Sequence, residues 1–417
     1  MSPNISAVYV LIILAFVGIA SGKFPRLAMN RASIALTAAV LLVVLGGLTT
    51  QEALAVVDTE TLALLLAMMI IVANLRVSGF FLIAGGRVLS IARSPRILLA
   101  IVVLVSGVLS ALFLNDTICL MFTPLVAEMA RRLGRDGRPY LIALATSANA
   151  GSCATSIGNP QNMLIASQSG IPFGTFVLAL GLPSLIAMLL SYWMTVLMFP
   201  SEFRANTMLR QPVDRVTADA EAGHAEVSPY LMYKSLAASA LLLVLLLAGV
   251  RTSHAALIAA SILLITRRVH PERIFAEVDF TLLVLFSGLF VLTAAVARTD
   301  AFAMAMQWLT PHLQRPGGLF AAAIALASNL VSNVPAVMLL SPAARAMANP
   351  QPAWLMLAMA STFAGNLTLL GSVANLIVAE QGEKSGIHIG FVDYLKVGLP
   401  VTLLSIAAGT LWLGIIL

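Results

Sequence analysis

Residues 96–133, RILLAIVVLVSGVLSALFLNDTICLMFTPLVAEMARRL, decide the fold. Two apolar arms meet at Asn115-Asp116 with no loop between them. Thr117 to Ala130 is about 14 residues, roughly 21 Å as helix, which is short of the roughly 30 Å of hydrocarbon in a bilayer. The stretch therefore reads as a re-entrant hairpin that enters and leaves a membrane on one side. The competing reading is two spanning helices with an exposed Asn-Asp turn. A second pair of arms occupies 317–349 and joins at Ser332-Asn333.

Around the hairpins the chain is apolar nearly throughout. Of its 417 residues, 60% are hydrophobic and 10% charged, with a mean hydropathy of +0.97. Soluble domains carry about 25% charged residues, so this surface is not built for water. Apolar segments of crossing length fall at about 5–22, 31–50, 57–75, 138–156, 172–200, 231–250, 253–268, 278–297, 352–371 and 390–416. Residues 77–95, with Arg87 and Arg93, read as an interfacial helix. Short alternating segments of the kind a transmembrane β-barrel needs are missing. The net charge of +6 does not point to nucleic acid, because the basic residues are scattered through short loops. Met1 to Asn4 carry no basic side chain, so the first segment is expected as a retained helix rather than a signal peptide.

Charge placement orients these segments. With the N-terminus outside and each hairpin returning to its own side, only Arg251, Arg298, Arg315 and Arg345 of the 24 basic residues fall outside. Both termini are therefore expected outside a bacterial inner membrane. The two halves also echo each other. Val57-Asp58 recurs as Val278-Asp279 after 221 residues, and Asn115 with Thr123-Pro124 as Asn333 with Ser341-Pro342 after 218. Gly158 and Asn162 recur as Gly371 and Asn375 after 213, and Gly181-Leu182-Pro183 as Gly398-Leu399-Pro400 after 217. Each half holds an odd number of crossings, so the second is inserted upside down. The expected class is an all-α integral membrane protein of two inverted-topology repeats, with re-entrant helical hairpins and discontinuous transmembrane helices. The first repeat is 1–200, with its hairpin at 96–133 and a broken helix at about 138–167. A cytoplasmic linker follows at 201–230, then the second repeat at 231–417, with hairpin 317–349 and broken helix at about 352–380.

Polar residues gather at matched places. The first half has Asn115-Asp116-Thr117 and the run Ser152 to Asn162, interrupted by Gly158-Asn159-Pro160. The second has Ser332-Asn333-Val334-Pro335 and Gly365 to Asn375, containing Gly371-Ser372. Backbone groups freed by such breaks cannot be satisfied by lipid, so the breaks must be buried in protein or line a wet cavity. Freed amides then favour an anion, and freed carbonyls with Asn or Ser side chains a cation. Asp116 is the sharpest candidate, because a carboxylate at mid-membrane costs about 2.5–3.5 kcal/mol. It reads as a coupling-ion site, for a proton or for Na⁺ with Asn115 and Asn333; the plainer alternative is an Asx-turn closing the hairpin.

Other polar residues have structural readings. Glu128 is expected to pair with Arg131-Arg132, and Asp58 and Asp279 to cap helix N-termini. Cys119 and Cys153 suit packing, and no metal cluster is expected. Phosphate loops ending in Lys-Ser or Lys-Thr, zinc helices and Gly-x-Ser-x-Gly nucleophiles are all missing, so neither an enzyme nor a bound cofactor is expected. Energy must come from gradients, where one charge moved through 100 mV supplies about 2.3 kcal/mol.

Leu114-Asn115-Asp116-Thr117 with Thr123-Pro124, followed by Ser156-Ile157-Gly158-Asn159-Pro160-Gln161-Asn162, resembles the ion transporter superfamily. That group includes arsenite permeases of the ArsB type, citrate and dicarboxylate/sodium symporters, and NhaD-type sodium/proton antiporters. Ser328 to Pro335 and Gly365 to Ser372 resemble most the arsenite permease and bacterial anion permease branch. The resemblance implies hairpin tips meeting two unwound helices around one central site, an elevator-like movement and often a homodimer. By motif, the site would take Asn115, Asp116, Thr117, Gly158, Asn159 and Asn162 from one half. Ser332, Asn333, Gly371, Ser372 and Asn375 would come from the other. Sodium/dicarboxylate members carry Ser-Asn-Thr at both tips and Pro-Pro-Asn after each break. Here the tips are Asn-Asp-Thr and Ser-Asn-Val, and the second break lacks proline. Dicarboxylate recognition and paired sodium sites are therefore not expected.

The leading expectation is a secondary transporter for a small inorganic or organic anion or oxyacid, coupled to H⁺ or Na⁺, with proton-coupled arsenite or antimonite efflux first. Arsenite is largely neutral near pH 7, which agrees with a sequence that places no Lys or Arg near either break. The alternatives are a sodium/proton antiporter, and a permease subunit driven by a soluble partner ATPase.

Overall fold

Capping residues divide the apolar pattern into helices. Asn30, Asp58, Ser94, Asp136 and Asn159 each accept a backbone N–H of the helix they open in the first half, and Ser228, Asp279 and Ser372 do so in the second. The computed structural model describes residues 5–22, 27–89, 92–204, 228–266, 270–309 and 317–417, and every regular element among them is a helix. Most of the expected linker, 205–227, lies outside the described residues. Lys23, Arg26, Arg267, Arg268 and Arg315 of the charge count also lie there.

The first half runs α1 (Ile5–Ser21), α2 (Arg31–Val44), α3 (Thr50–Ala55), α4 (Thr59–Val77) and α5 (Phe80–Leu89). It continues with α6 (Pro95–Leu112), α7 (Asn115–Arg132), α8 (Gly137–Ser152), α9 (Pro160–Ser169) and α10 (Phe173–Met198), and a short α11 (Pro200–Phe203) follows. The second half repeats that order as α12 (Pro229–Leu247), α13 (Thr252–Leu264), α14 (Pro271–Phe275), α15 (Phe280–Ala297) and α16 (Asp300–Leu309). Then come α17 (Gly318–Val331), α18 (Asn333–Arg345), α19 (Pro350–Ala364), α20 (Val373–Lys384) and α21 (Phe391–Ile416).

Packing follows the same correspondence. α2 lies on α15, and its counterpart α13 lies on α4, so each half lends a helix to the other. Small residues permit this: Ala35, Ala38 and Ala39 are buried on α2, and Ala256, Ala259 and Ala260, each 221 residues on, are buried on α13. At Gly288 a Cβ would stand 2.7 Å from the carbonyl carbon of Ala35, so this crossing needs glycine. Ion pairs close the frame, Arg76 with Glu277 at 2.8 Å and Arg298 with Glu52 at 2.9 Å. Each joins the end of a long helix (α4 or α15) to the short segment before its counterpart.

Within this frame, hairpin arm α7 packs on α20 and arm α18 on α9, while α10 and α21 lie against each other. α8 is buried from Pro139 onward, and α19 from Ala353 onward. These are the broken helices, and they form the middle of the molecule.

By length and composition, six helices among the described residues suffice to cross a membrane: α4, α6, α10, α12, α15 and α21. α2 and α13 are shorter than their apolar segments, with 14 and 13 residues. α7 is longer than the arm read from the sequence, at 18 residues, because its helix starts at the tip itself. Arm length is therefore a weaker argument for a hairpin than the burial of its turn. Leu114 and Asn115 are nearly inaccessible, so the turn is not an exposed loop.

Candidate functional site

Two asparagines hold the breaks open. After α8 the chain leaves the helix, and Asn162, one turn into α9, donates Nδ2 to the carbonyls of Ser152 at 3.2 Å and Thr155 at 3.0 Å. After α19, Asn375 donates Nδ2 to the carbonyls of Gly365 at 2.8 Å and Thr368 at 3.0 Å. Every member of the second set stands 213 residues after its partner in the first. Carbonyls that lipid could not satisfy are thus satisfied by the next helix. At Gly158 an added Cβ would run into the backbone oxygens of Ser152 and Ser110, so the turn of the first break admits only glycine.

The breaks are locked to each other through Asn149 and Thr362, themselves 213 residues apart. Asn149 donates Nδ2 to Asn366 Oδ1 at 2.9 Å and Asn375 Oδ1 at 3.0 Å, and its Oδ1 accepts from Ser372 Oγ at 3.2 Å. Thr362 accepts from Asn159 Nδ2 at 3.2 Å and Gln161 Nε2 at 3.3 Å, and donates to Asn162 Oδ1 at 3.4 Å. One two-fold pattern is realised twice, with shorter bonds at Asn149.

The hairpin tips meet this centre. The Asn115 amide donates to the Gly158 carbonyl at 3.0 Å, and Asn115 Nδ2 donates to Asn149 Oδ1 at 3.0 Å. At the other tip Ser332 adopts φ 80° and ψ 158°, a conformation belonging essentially to glycine. Between the tips lies a cavity of about 60 Å³, bounded by Asn115, Asp116, Ser332, Asn333, the starts of α9 (Pro160, Gln161) and α20 (Ser372, Val373), and Arg31. Leu282, Leu285, Phe286 and Leu289 of α15 close one wall. Asp116 also borders a cavity of about 180 Å³ shared with Thr117, Arg76, Glu277 and Asp279. Asn115 and Asn333 each keep a buried Oδ1 without a donor.

Of the residues expected from sequence, Asn115, Asp116, Ser332, Asn333 and Ser372 come together on the central cavity. Thr117 faces the adjoining one. Gly158, Asn159, Asn162, Gly371 and Asn375 lie in the breaks off the cavity wall, and the three asparagines spend their amides on holding the breaks. The expectation that no basic residue lies near the breaks is corrected: Arg31, at the start of α2, lines the cavity. Asn149, Thr362, Gln161 and Asn366 were not singled out by sequence reasoning. Asp116 makes no hydrogen bond to local amides among the described residues, and the start of α7 has no side-chain cap, so the Asx-turn is not what closes the hairpin. Asp58 and Asp279 do cap their helices, at 3.0 and 3.2 Å, and Glu128 does pair with Arg131 and Arg132. Cys119 and Cys153 are fully buried. No group of potential metal ligands occurs among the described residues.

A polytopic helical protein whose two halves each bring a hairpin tip and a broken helix to one buried polar cavity belongs to the class of membrane transporters. This chain is a member of the citrate transporter family, whose profile matches residues 9–364. It is 33% identical to the silicon efflux transporter LSI3 of Oryza sativa subsp. japonica, over 94% of this chain and 93% of that one. A Dictyostelium discoideum protein bearing the transporter name arsB is 28% identical, over 92% of this chain and 87% of that one. The crystal structure of the Alcanivorax borkumensis YdaH transporter, described as having an unusual topology, shares the fold with a TM-score of 0.53. It is 14% identical, and the match covers 98% of this chain and 97% of that one.

Proposed function

We propose that this protein is an ion-coupled secondary transporter of a small oxyacid or anion, with proton-coupled arsenite or antimonite efflux as the leading activity. Residues 1–200 and 231–417 are its inverted repeats, joined by 201–230 on the inner side of a bacterial inner membrane. The hairpins are re-entrant, and the termini lie outside. The hairpins and broken helices move, elevator-like, against the frame of α2, α4, α13 and α15. Asn115, Asp116, Ser332, Asn333 and Ser372 take the cargo, Asp116 carries the coupling proton, and the break asparagines keep the site in shape.

One observation carries this reading: the two tips, one from each half, bring Asn115 and Asn333 to one cavity, each with an acceptor oxygen left without a donor. A buried acceptor without a donor costs about 1–3 kcal/mol, so the site gains from a cargo that supplies O–H groups. Arsenious acid has three hydroxyls, and silicic acid, the hydroxide of the silicon named for the rice relative, has four. A citrate trianion offers carboxylates that only accept, apart from its single hydroxyl. The same oxygens could instead hold Na⁺, which favours a sodium/proton antiporter as the second reading.

Everted membrane vesicles with an imposed pH gradient separate the two. Arsenite, antimonite, silicic acid, sulfate, citrate and Na⁺ are offered in turn. Arsenite accumulation that follows the gradient and becomes gradient-independent in Asp116→Asn supports the first reading. Sodium-driven pH changes with no oxyacid flux replace it by the second. Flux requiring ATP and a soluble fraction would assign the chain to a pump.

A further inference from the structure

Of the residues lining the central cavity, Arg31 alone is basic and Asp116 alone acidic. Arg31 is partly buried, and it forms no hydrogen bond or ion pair with any described residue. A guanidinium presents five donors in a fixed fork, and leaving it unpaired inside a membrane protein is expensive. The charges facing it are Asp116 across the cavity and Glu380 on α20, while Asp116 faces Arg31, Asp279 of α15 and the Cys119 thiol of its own helix. Neither Asp116 nor Glu380 comes within 4.0 Å of it. An oxygen entering the cavity would therefore find a fork of unused donors on one side and unused acceptors, Asn115 and Asn333, on the other.

Arg31 belongs to α2, which packs on α15 and α1, whereas the other polar groups sit on the tips and broken helices. It also borders a wider space of about 680 Å³ along Ile12, Phe16 and Ser21 of α1. The cavity's positive charge is thus contributed by the frame and its hydrogen-bonding groups by the elements that would move. Building on the oxyacid reading above, we propose that Arg31 is the specificity-determining residue for charge. It takes a bare, deprotonated oxygen, so the preferred cargo is the monoanion of a weak oxyacid whose remaining hydroxyls satisfy Asn115 and Asn333. A permanently neutral polyol gives Arg31 no charge to pair. A polyanion gives the orphan oxygens too few donors.

The test uses full-length protein in proteoliposomes, with arsenite as the probe and its half-saturating concentration measured between pH 7 and 9. Raising the pH increases the arsenite monoanion, so in wild type the half-saturating concentration of total arsenite falls. Repeating the series in Asp116→Asn removes the titration of the neighbouring carboxyl, and the fall persists. In Arg31→Gln the curve becomes flat and half-saturation weakens by about tenfold or more, with maximal rate largely kept. Arg31→Lys, which keeps the charge without the fork, recovers part of the affinity and the slope. Unchanged half-saturation and slope in Arg31→Gln would overturn the assignment while leaving the transport reading intact. If Arg31→Gln does not fold, the Asp116→Asn series decides: a flat curve there counts against Arg31, a falling one for it. A wild type that moves none of arsenite, antimonite or silicic acid removes the oxyacid reading, and this inference with it.

Discussion

Replacing Asn149 with alanine tests the claim that the two breaks form one locked unit. The side chain joins Asn115, Asn366, Ser372 and Asn375 through bonds of 2.9 to 3.2 Å, all buried. Truncation strands Asn115 Nδ2, Asn366 Oδ1 and Asn375 Oδ1, and it removes the acceptor of the Ser372 hydroxyl, whose oxygen keeps only the Ala374 amide. At about 1–3 kcal/mol for each stranded group, and allowing for relaxation, the loss is about 3–6 kcal/mol. The two-fold counterpart gives an internal control. Thr362→Val strands only Asn162 Oδ1 and Gln161 Nε2, whose bonds are long at 3.4 and 3.3 Å, because Asn159 Nδ2 keeps Ser152 Oγ at 2.9 Å. Its cost is about 1–2 kcal/mol. Denaturant titration of purified protein in micelles, followed by tryptophan fluorescence, measures both. The double variant Asn149→Ala/Asn375→Ala should fall short of additivity by at least about 0.5 kcal/mol. Equal costs at positions 149 and 362, or strict additivity at 149 and 375, would refute the lock.

Gly158→Ala drives a Cβ into two backbone oxygens, so folded yield and melting temperature should both drop sharply on size-exclusion thermostability; a tolerated alanine would mean that the break can shift. Ser332→Gly relieves a backbone conformation that a side chain resists, and should stabilise by about 1 kcal/mol after the entropy of the freer unfolded chain is counted. A less stable glycine variant would show that the serine side chain holds the tip. Glu52, in the first turn of α3, is held at about 2 by Arg298 and by the Thr49 amide and hydroxyl. Its folded value lies below its unfolded one, so the stability it contributes is whole above the ordinary carboxylate value of about 4.3 and disappears as pH falls through about 2. The melting difference between wild type and Glu52→Gln should therefore be constant near neutrality and shrink in acid; a difference widening in acid contradicts it.

Much of the frame was legible because membrane insertion leaves few choices. Apolar length set the helices, and the residues that end a helix (Gly158, Pro160, Gly371) marked the breaks. The hairpin turns were legible for the same reason, as Asn and Ser between apolar arms have to find buried partners. Helix lengths were less so: an apolar run at 31–50 includes a turn and the start of α3 that hydropathy alone does not separate. Asn149 and Thr362 escaped notice because they lie within regular helix, and because the repeat conserves their geometry while changing their residue type. Arg31 was not read as a cavity residue, because the sequence shows it only at the start of an apolar segment. Assigning each basic residue to a loop says which side it favours, and nothing about whether its helix starts at the surface or beside a cavity.

The repeat also separates what the molecule needs twice from what it needs once. Asn162 and Asn375 satisfy freed carbonyls in the same way, and Asn149 and Thr362 tie the breaks through matched bonds. A two-fold frame of this kind allows two arrangements of similar free energy, which alternating access requires. The charges break that symmetry. Asp116 corresponds to Val334, and Arg31 to Thr252, so both ionic groups of the cavity come from the first half. An uncharged symmetric pocket would bind equally well from either side and let cargo run down its own gradient. Under the proposed ion-coupled reading, one carboxyl and one guanidinium on one half would make protonation and cargo binding weigh differently in the two arrangements, and that difference would be the free energy by which an ion gradient drives the cargo. Moving the carboxyl to the other tip, Asp116→Asn with Val334→Asp, should therefore leave binding measurable but change the pH dependence of flux on each side of the membrane. Side-specific pH profiles identical to wild type would show that the polarity of coupling is set elsewhere.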